Sequence, residues 1–295
     1  MALLPFDQRD GWIWMDGEFV PWREATVHVL THGLHYGSCV FEGVRMYDGV
    51  GFKLTEHSQR LIRSAEILDF EIPYTVEQID EACKQTAEKN GLRDCYIRPV
   101  SWRGPEMGVA AHNAPVKTAI ATWEWGSYFD PEQKRKGIRM THAKYRRPSP
   151  ETAPTASKAA GLYMICTISK VAAEKAGYAD ALMLDWRGYI AETTGANIFL
   201  IRDGVIHTPI ADCFLDGITR RSVIQLARDA GFEVVERHIP GEELSTFSEV
   251  FITGTAAEVT PVAEIGEHRF QPGNITFALM DDFSKMVRRQ LQPAA

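Results

Sequence analysis

Lys158 stands in a bed of small residues, Pro154-Thr155-Ala156-Ser157-Lys158-Ala159-Ala160-Gly161, just before a run with helical spacing. An amine at the start of a helix meets the positive end of the helix dipole, which disfavours its ammonium form. The neutral amine can attack a carbonyl, and small neighbours let a flat ring approach the backbone. The segment therefore suits a Schiff-base lysine that holds an aldehyde cofactor. Taken alone, it reads more simply as a solvated lysine on a first helical turn.

Segments far away in the chain reverse that preference. Upstream lie His35-Tyr36-Gly37, Val40-Phe41-Glu42-Gly43, Glu56-His57-Ser58-Gln59-Arg60-Leu61 and Tyr96-Ile97-Arg98-Pro99. Downstream come Ile190-Ala191-Glu192-Thr193-Thr194-Gly195-Ala196-Asn197, Leu215-Asp216-Gly217-Ile218-Thr219-Arg220 and Thr253-Gly254-Thr255-Ala256-Ala257-Glu258. In this order the set resembles the fold-type IV family of pyridoxal phosphate enzymes, and within it the branched-chain amino-acid aminotransferases. The resemblance runs from about Trp12 to Pro261, too long for the chance matches that short patterns give. It implies an α+β fold of two domains, a small N-terminal α/β domain and a larger C-terminal domain with a β-barrel-like sheet. It also implies transamination of L-leucine, L-isoleucine and L-valine with 2-oxoglutarate, giving branched 2-oxo acids and L-glutamate, with pyridoxal 5'-phosphate as cofactor.

Transamination needs an electrophilic carbonyl, an electron sink and a base that moves a proton, and the cofactor supplies the first two. By resemblance Lys158 is the catalytic residue, both covalent anchor and proton shuttle. Glu192 faces the pyridine nitrogen, where a carboxylate keeps that nitrogen protonated. Tyr163 meets the phenolic oxygen, while Arg60, Gly217-Ile218-Thr219 and Thr255 hold the phosphate. The glycine-led turn suits this physically as well, because helix N-termini offer free N–H groups to anions. The substrate α-carboxylate maps to Tyr96 and Thr255-Ala256. The side-chain pocket maps to Tyr36, Phe41, Gly43, Trp125, Tyr128 and Tyr163, with Val109 of the Met107-Gly108-Val109 loop reaching in from a neighbouring subunit. Arg98 suits the distal carboxylate of glutamate and 2-oxoglutarate, or an ordinary ion pair with an acid such as Asp94.

Plainer readings stand beside these. Glu56, four residues before Arg60, makes a helix-surface ion pair with it; Glu192 beside a turn is a solvated acid; aromatic side chains are most often core. Within the same fold, a D-amino-acid aminotransferase and an aminodeoxychorismate lyase are the alternatives, and a non-catalytic binder of apolar ligands is the alternative from another class. Two departures from the family bear on pocket shape. The loop reads Gly108-Val109-Ala110-Ala111-His112 where many relatives carry Asn after the valine, and Thr193-Thr194 replaces the common Gly-Ala.

The elements that must carry these residues follow from local pattern. Asp16-Gly17 and Asp48-Gly49 predict hairpins joining Trp12–Met15 to Glu18–Val20 and Val40–Tyr47 to Val50–Leu54. Helices are expected from Thr55 and from Thr75, the latter with a Thr75/Gln78 capping box and an Asn90-Gly91 stop. Strands near Tyr96–Trp102 and Thr118–Trp123 complete a domain over residues 1–128. A linker at 129–134 leads to a cofactor-binding domain over 135–295 that includes the lysine segment. There, strands are expected at Ile138–Ala143, Ala181–Asp185, Asn197–Arg202, Val205–Thr208 and Glu249–Thr253. Helical spacing runs from Leu162 to Ala176, Thr219 caps another helix ending at Gly231, and Ile275 to Gln290 closes the chain.

With 295 residues, 45% hydrophobic and 24% charged, the chain can form one large core or two modest ones. A formal charge of −7 speaks against a nucleic-acid partner. There is no membrane-length apolar run and no signal-peptide pattern, so no membrane partner and a cytoplasmic location are expected. Cys39, Cys83, Cys95, Cys166 and Cys213 lack metal or redox spacing and are expected to be reduced, mostly buried thiols. His32 and His35 have no ligand pattern following them, so no metal is expected and both are assigned to loop structure. A pocket completed by a partner's loop implies a homodimer or higher homo-oligomer.

Overall fold

Asp16-Gly17, Asp48-Gly49 and Asp203-Gly204 all adopt positive φ at both residues, the backbone that a two-residue turn between twisted antiparallel strands requires. They close three hairpins in the computed structural model, which describes residues 4–125 and 135–289. The described residues divide into two units. One comprises residues 4–125 with Ser157–Gly161, the other 135–156 with 162–289. The expected linker at 129–134 and Tyr128 lie outside the described residues.

The first unit carries β1 (Trp12–Met15), β2 (Glu18–Pro21), β3 (Cys39–Phe41), β4 (Val44–Tyr47), β5 (Val50–Gly51), β6 (Cys95–Arg103) and β7 (Val116–Trp123). They form an antiparallel sheet in the order β2-β1-β7-β6-β4-β5, with β3 also on β6. The helices are α1 (His32–Tyr36), α2 (Leu54–Ile67) and α3 (Val76–Lys89). Helix α3 has the expected capping box, Gln78 N–H donating to Thr75 Oγ1 and Thr75 N–H to Gln78 Oε1. Leu61 and Ala65 of α2 and Ile79 and Cys83 of α3 pack with Ile97 of β6 and Ile120 of β7. Full burial of each such large side chain is worth about 1.5–3 kcal/mol. Strand alternation sends the other residues of β6, Tyr96, Arg98, Val100 and Trp102, to the opposite face.

Two expectations change here. The Val40–Tyr47 run is not one strand; it breaks at Glu42-Gly43 between β3 and β4. The lysine segment, expected in the second domain, packs with the first unit. Phe41 N–H donates to Lys158 C=O at 3.2 Å, and Val40 bridges Ala159. Ser157 Oγ–H donates to Ser64 C=O at 2.8 Å, and Lys158 N–H to Ser64 Oγ at 3.0 Å. An extended segment must pair its backbone polar groups somewhere, and here β3 and the last turns of α2 take them.

The second unit carries β8 (Ile138–His142), β9 (Asp180–Leu184), β10 (Ile190–Thr193), β11 (Asn197–Arg202), β12 (Val205–Pro209), β13 (Val234–Arg237), β14 (Glu249–Gly254), β15 (Glu258–Ile265) and β16 (His268–Arg269). Six of them, in the order β10-β9-β8-β15-β14-β11 with β10 pairing β11, close into a barrel. Met140, Leu182, Ile198, Leu200, Ile252 and Val262 belong to its apolar core. Helices α4 (Tyr163–Lys175), α5 (Ile218–Asp229) and α6 (Asn274–Val287) pack outside, on β9, β14 and β15. Alternation along β11 puts Ile198 and Leu200 in the barrel core and Asn197 and Phe199 on the helix side, where Phe199 stacks on Phe251 of β14. Thr219 does not cap α5: the cap position is Gly217 and no side chain bonds there. The five thiols are free as expected; Cys39 is half-buried and the rest are buried.

Candidate active site

Glu42 explains why the strand breaks where it does. Its carboxylate is fully buried and accepts from Arg60 Nε at 2.6 Å, Arg60 Nη2 at 2.9 Å, His57 Nδ1 at 2.6 Å and Gly43 N at 3.2 Å. Burial raises such a carboxyl, but the Arg60 and His57 contacts outweigh it and hold Glu42 well below the usual range. His57 is displaced downward, first by burial, with Arg60 and Lys158 adding to the effect against Glu42. It is therefore a neutral imidazole at pH 7 whose Nδ1 carries the proton, since the ionised acid can only accept. Glu56, the partner in the plainer alternative for Arg60, pairs with Lys53 at 2.8 Å.

Lys158 is half-buried, and its amine is pushed down to about 8. Burial is the largest cause and Arg60 the next; Glu42 and Tyr96 work the other way. The depressed basicity anticipated from a helix dipole is present, but desolvation and a neighbouring guanidinium supply it. The Lys158 amine nitrogen lies 5.1 Å from the centroid of Phe41. The Arg98 guanidinium stacks over the same ring at 4.8 Å and donates to Tyr96 Oη at 3.1 Å. Tyr96 in turn packs on Trp123 at 5.1 Å and Trp125 at 4.9 Å.

Phe41, Tyr96, Arg98, Trp123 and Trp125 thus form an aromatic wall with one cation in it. Among the described residues Arg98 has no carboxylate partner and its buried Nε has no hydrogen bond, so the Asp94 pairing is not formed. Gly43 is required by space rather than by φ: a Cβ there would fall on the Tyr96 hydroxyl. On the same sheet face lies a cavity of about 420 Å³ lined by Leu34, Cys39, Val100, Trp102 and Ala121 as well as Arg98. Tyr36 donates to Met107 C=O at 3.1 Å, and Val109 at the tip of that loop is 79% exposed. His32 bonds Ser38 Oγ and Gly108 C=O, and His35 bonds Val29 C=O, which is the loop-holding work assigned to them.

In the second unit Glu192 reaches the outer face of the barrel through a β-bulge. Ile190 pairs with Leu184 and Glu192 with Met183, so the strand gains one residue between them. In a regular ladder Glu192 would share the inward face of Ile190; the bulge turns it outward. There it lies 3.3 Å from Arg147 Nε, an ion pair without hydrogen-bond alignment. Arg147 is buried and donates to Cys166 Sγ at 3.6 Å. Burial lowers its basicity, and Glu192, Cys166 and Tyr163 together raise it by more. Tyr163 opens α4. Arg147 has no role legible in its Pro-rich stretch of sequence; its burial is a tertiary fact.

The head of α5 is built to leave N–H groups open. Gly217 holds the cap position with β-region backbone, and Arg221 N–H closes the first turn on Gly217 C=O at 2.9 Å. Asp216 is held by Arg220 at 2.8 Å. A Cβ on Gly217 would collide with Asn197 Oδ1, so a larger residue fits only if the Asn197 side chain moves. Thr255 and Ala256 occupy the tight turn between β14 and β15, half-buried. The neighbouring Thr253 hydroxyl is fully buried and has no hydrogen-bond partner among the described residues. An uncapped helix start, a glycine that a side chain would block and a spare hydroxyl fit the phosphate of pyridoxal phosphate; a carboxylate paired with Arg147 fits its pyridinium.

The class IV amino-transferase family model matches residues 39–265. The chain is 44% identical over 270 residues to the branched-chain-amino-acid aminotransferase of Pseudomonas aeruginosa, covering 90% of this chain and 88% of that one. It superposes with TM-score 0.92 and 37% identity on the branched-chain aminotransferase of Thermoproteus uzoniensis solved with norvaline, covering 96% and 97% of the two chains. A second solved branched-chain amino acid aminotransferase, complexed with N-(5'-phosphopyridoxyl)-L-glutamate, matches with TM-score 0.91 and 40% identity, over 97% and 96%.

Proposed function

The chain belongs to the class IV aminotransferases, and on that premise we propose that it transfers the amino group of L-leucine, L-isoleucine or L-valine to 2-oxoglutarate. Pyridoxal phosphate, when bound, supplies the electrophilic carbonyl and the electron sink. The observation that carries the reading is Lys158, an amine brought down to about 8 beside Arg60 and facing an aromatic wall. Such an amine is substantially neutral near pH 8, so it can attack a carbonyl and afterwards carry a proton. Glu192, 3.3 Å from Arg147, would hold the proton of the pyridine nitrogen. Gly217, Ile218 and Thr219 would bind the phosphate through backbone N–H groups; Arg60 and Thr255 would add a charge and a hydroxyl, and Tyr163 would hydrogen-bond the phenolic oxygen.

Phe41, Gly43, Tyr96 and Trp125 suit a branched apolar side chain, the family pattern assigns Tyr36 and Tyr128 to the same pocket, and Tyr96, Thr255 and Ala256 would take the α-carboxylate. Burying glutamate's distal carboxylate against such a wall is strongly unfavourable without a partner. Arg98, stacked on Phe41 and without an acid of its own among the described residues, is that partner. The exposed Val109 completes a second subunit's pocket in a homodimer or larger homo-oligomer. The domain limits follow residues 1–128 and 135–295, the lysine segment returning to the first. No helix among the described residues is long and apolar enough to cross a membrane, and the enzyme is assigned to the cytoplasm.

A coupled assay of L- and D-amino acids with 2-oxoglutarate tests the reaction. Turnover of L-leucine, L-isoleucine and L-valine together with an absorption band that borohydride bleaches is the expected result. Turnover of D-substrates alone would assign the other transaminase of this fold, and an absent band would leave an apolar-ligand binder.

A further inference from the structure

We propose that Asn197 is the positioning residue of the phosphate-binding turn, setting where the head of α5 sits without touching the ligand itself. Asn197 opens β11 and is 6% exposed. Its Cα partners in the sheet are Glu192 on β10 and Thr253 on β14, so the three side chains form one row on the helix side of the barrel. From the middle of that row Asn197 Nδ2 donates to Leu215 C=O at 3.0 Å, two residues before Gly217. Its Oδ1 occupies the space that a Cβ on Gly217 would need. One side of the amide pulls the turn in and the other limits its approach. A carboxylate could not donate, and an aliphatic side chain of similar size could fill the space but not hold Leu215 C=O.

The head of α5 has no side-chain cap of its own, and Arg220 engages Asp216 beside it. Arg220 also ties the first turn of the helix to Pro209 C=O on β12 and Glu236 on β13, while the Asn197 amide holds the turn ahead of it, at Leu215, to β11. The same residue neighbours Glu192 across the ladder, so a single rigid strand relates the pyridine-facing carboxylate to the anion-binding turn. This inference rests on the assignment of residues 217–219 to the cofactor phosphate.

The test compares pyridoxal phosphate with pyridoxal, which lacks the phosphate, by titration of the full-length protein. Loss of the residue that orients a ligand-binding group commonly weakens binding about 10–100-fold, as for the residues behind metal ligands. Asn197→Ala is expected to weaken pyridoxal phosphate by that factor while leaving pyridoxal within about twofold. Gly217→Ala approaches the same contact from the other side and is expected to show the same selective loss, so the inference stays testable if Asn197→Ala fails to fold. In the double variant the cleared space accepts the new Cβ, and the two losses are expected to be clearly sub-additive. Equal weakening of both ligands, additive losses, or unchanged preference for the phosphorylated ligand in Gly217→Ala would overturn it. If the unaltered protein itself shows no preference for pyridoxal phosphate over pyridoxal, the assignment of the turn to phosphate fails instead.

Discussion

Around Lys158 the first unit gathers a guanidinium and an imidazole that both hydrogen-bond one buried carboxylate. Around the head of α5 the second unit offers mainly backbone: open N–H groups, a glycine and an amide wedged against it. In the first region each group's protonation depends on its neighbours, so function is set by charge balance. In the second, position is set by volume and main-chain geometry. The two should therefore break differently, the first by loss of a charge and the second by gain of an atom.

The largest effect expected is that of Lys158→Ala. General acid–base action alone contributes on the order of 10²–10⁴ in rate, so turnover should fall at least that far in steady-state assays while some cofactor still binds. Glu42→Gln comes next and tests the charge balance most directly. It leaves Arg60 buried without its anion, and breaking a buried pair costs about 3–5 kcal/mol, to be read from urea unfolding. A loss below about 1 kcal/mol, the scale of a surface ion pair, would mean that water already screens the cluster.

Arg98→Ala should weaken the glutamate half-reaction by roughly 2–5 kcal/mol, the scale for a buried charge that loses its partner, and the leucine half-reaction far less. Single-turnover kinetics with each amino acid separates them; equal losses would assign Arg98 to the α-carboxylate or to the fold. Glu192→Gln should lower kcat by about 1.5–3 kcal/mol in barrier, the worth of a hydrogen bond to a charged group. Because Glu192 also faces buried Arg147, the same variant should melt lower, and restoring stability with Arg147→Met without restoring kcat would divide the two roles.

The last test is the pH dependence of Lys158. Its folded value of about 8 lies below the ordinary 10.5, so between them the unfolded chain binds the extra proton. Stability of the cofactor-free protein should then rise with pH across that window and be at its lowest below about 8. Urea midpoints at a series of pH values check the sign.

Much of this was legible in the sequence. The Asp-Gly hairpins, the capping box of α3 and β11 were readable because local turn chemistry and apolar runs announce them. Strand β15 was not, although it sits in the barrel wall: Glu258–Ile265 carries Pro261 and alternates poorly. Strand β10 was hidden because Glu192-Thr193-Thr194-Gly195 has the composition of a loop. Glu42 and His57 stood in plain view within quoted motifs, yet no role attached to them, since their partnership with Arg60 exists only once β3 and α2 are packed together. Arg147 stayed silent for the same reason.

The bulge at Ala191 has a consequence for how the barrel finds its register. A strand slipped into the regular ladder would carry Glu192 into an interior of Leu182, Ile198 and Ile252, and an unpaired carboxylate there is penalised by several kcal/mol. The acid that pairs with Arg147 outside the barrel thereby acts as a key that fits only one alignment. Misaligned chains are expelled by their own functional group, and the strand needs no further residue to tell the correct pairing from its neighbour.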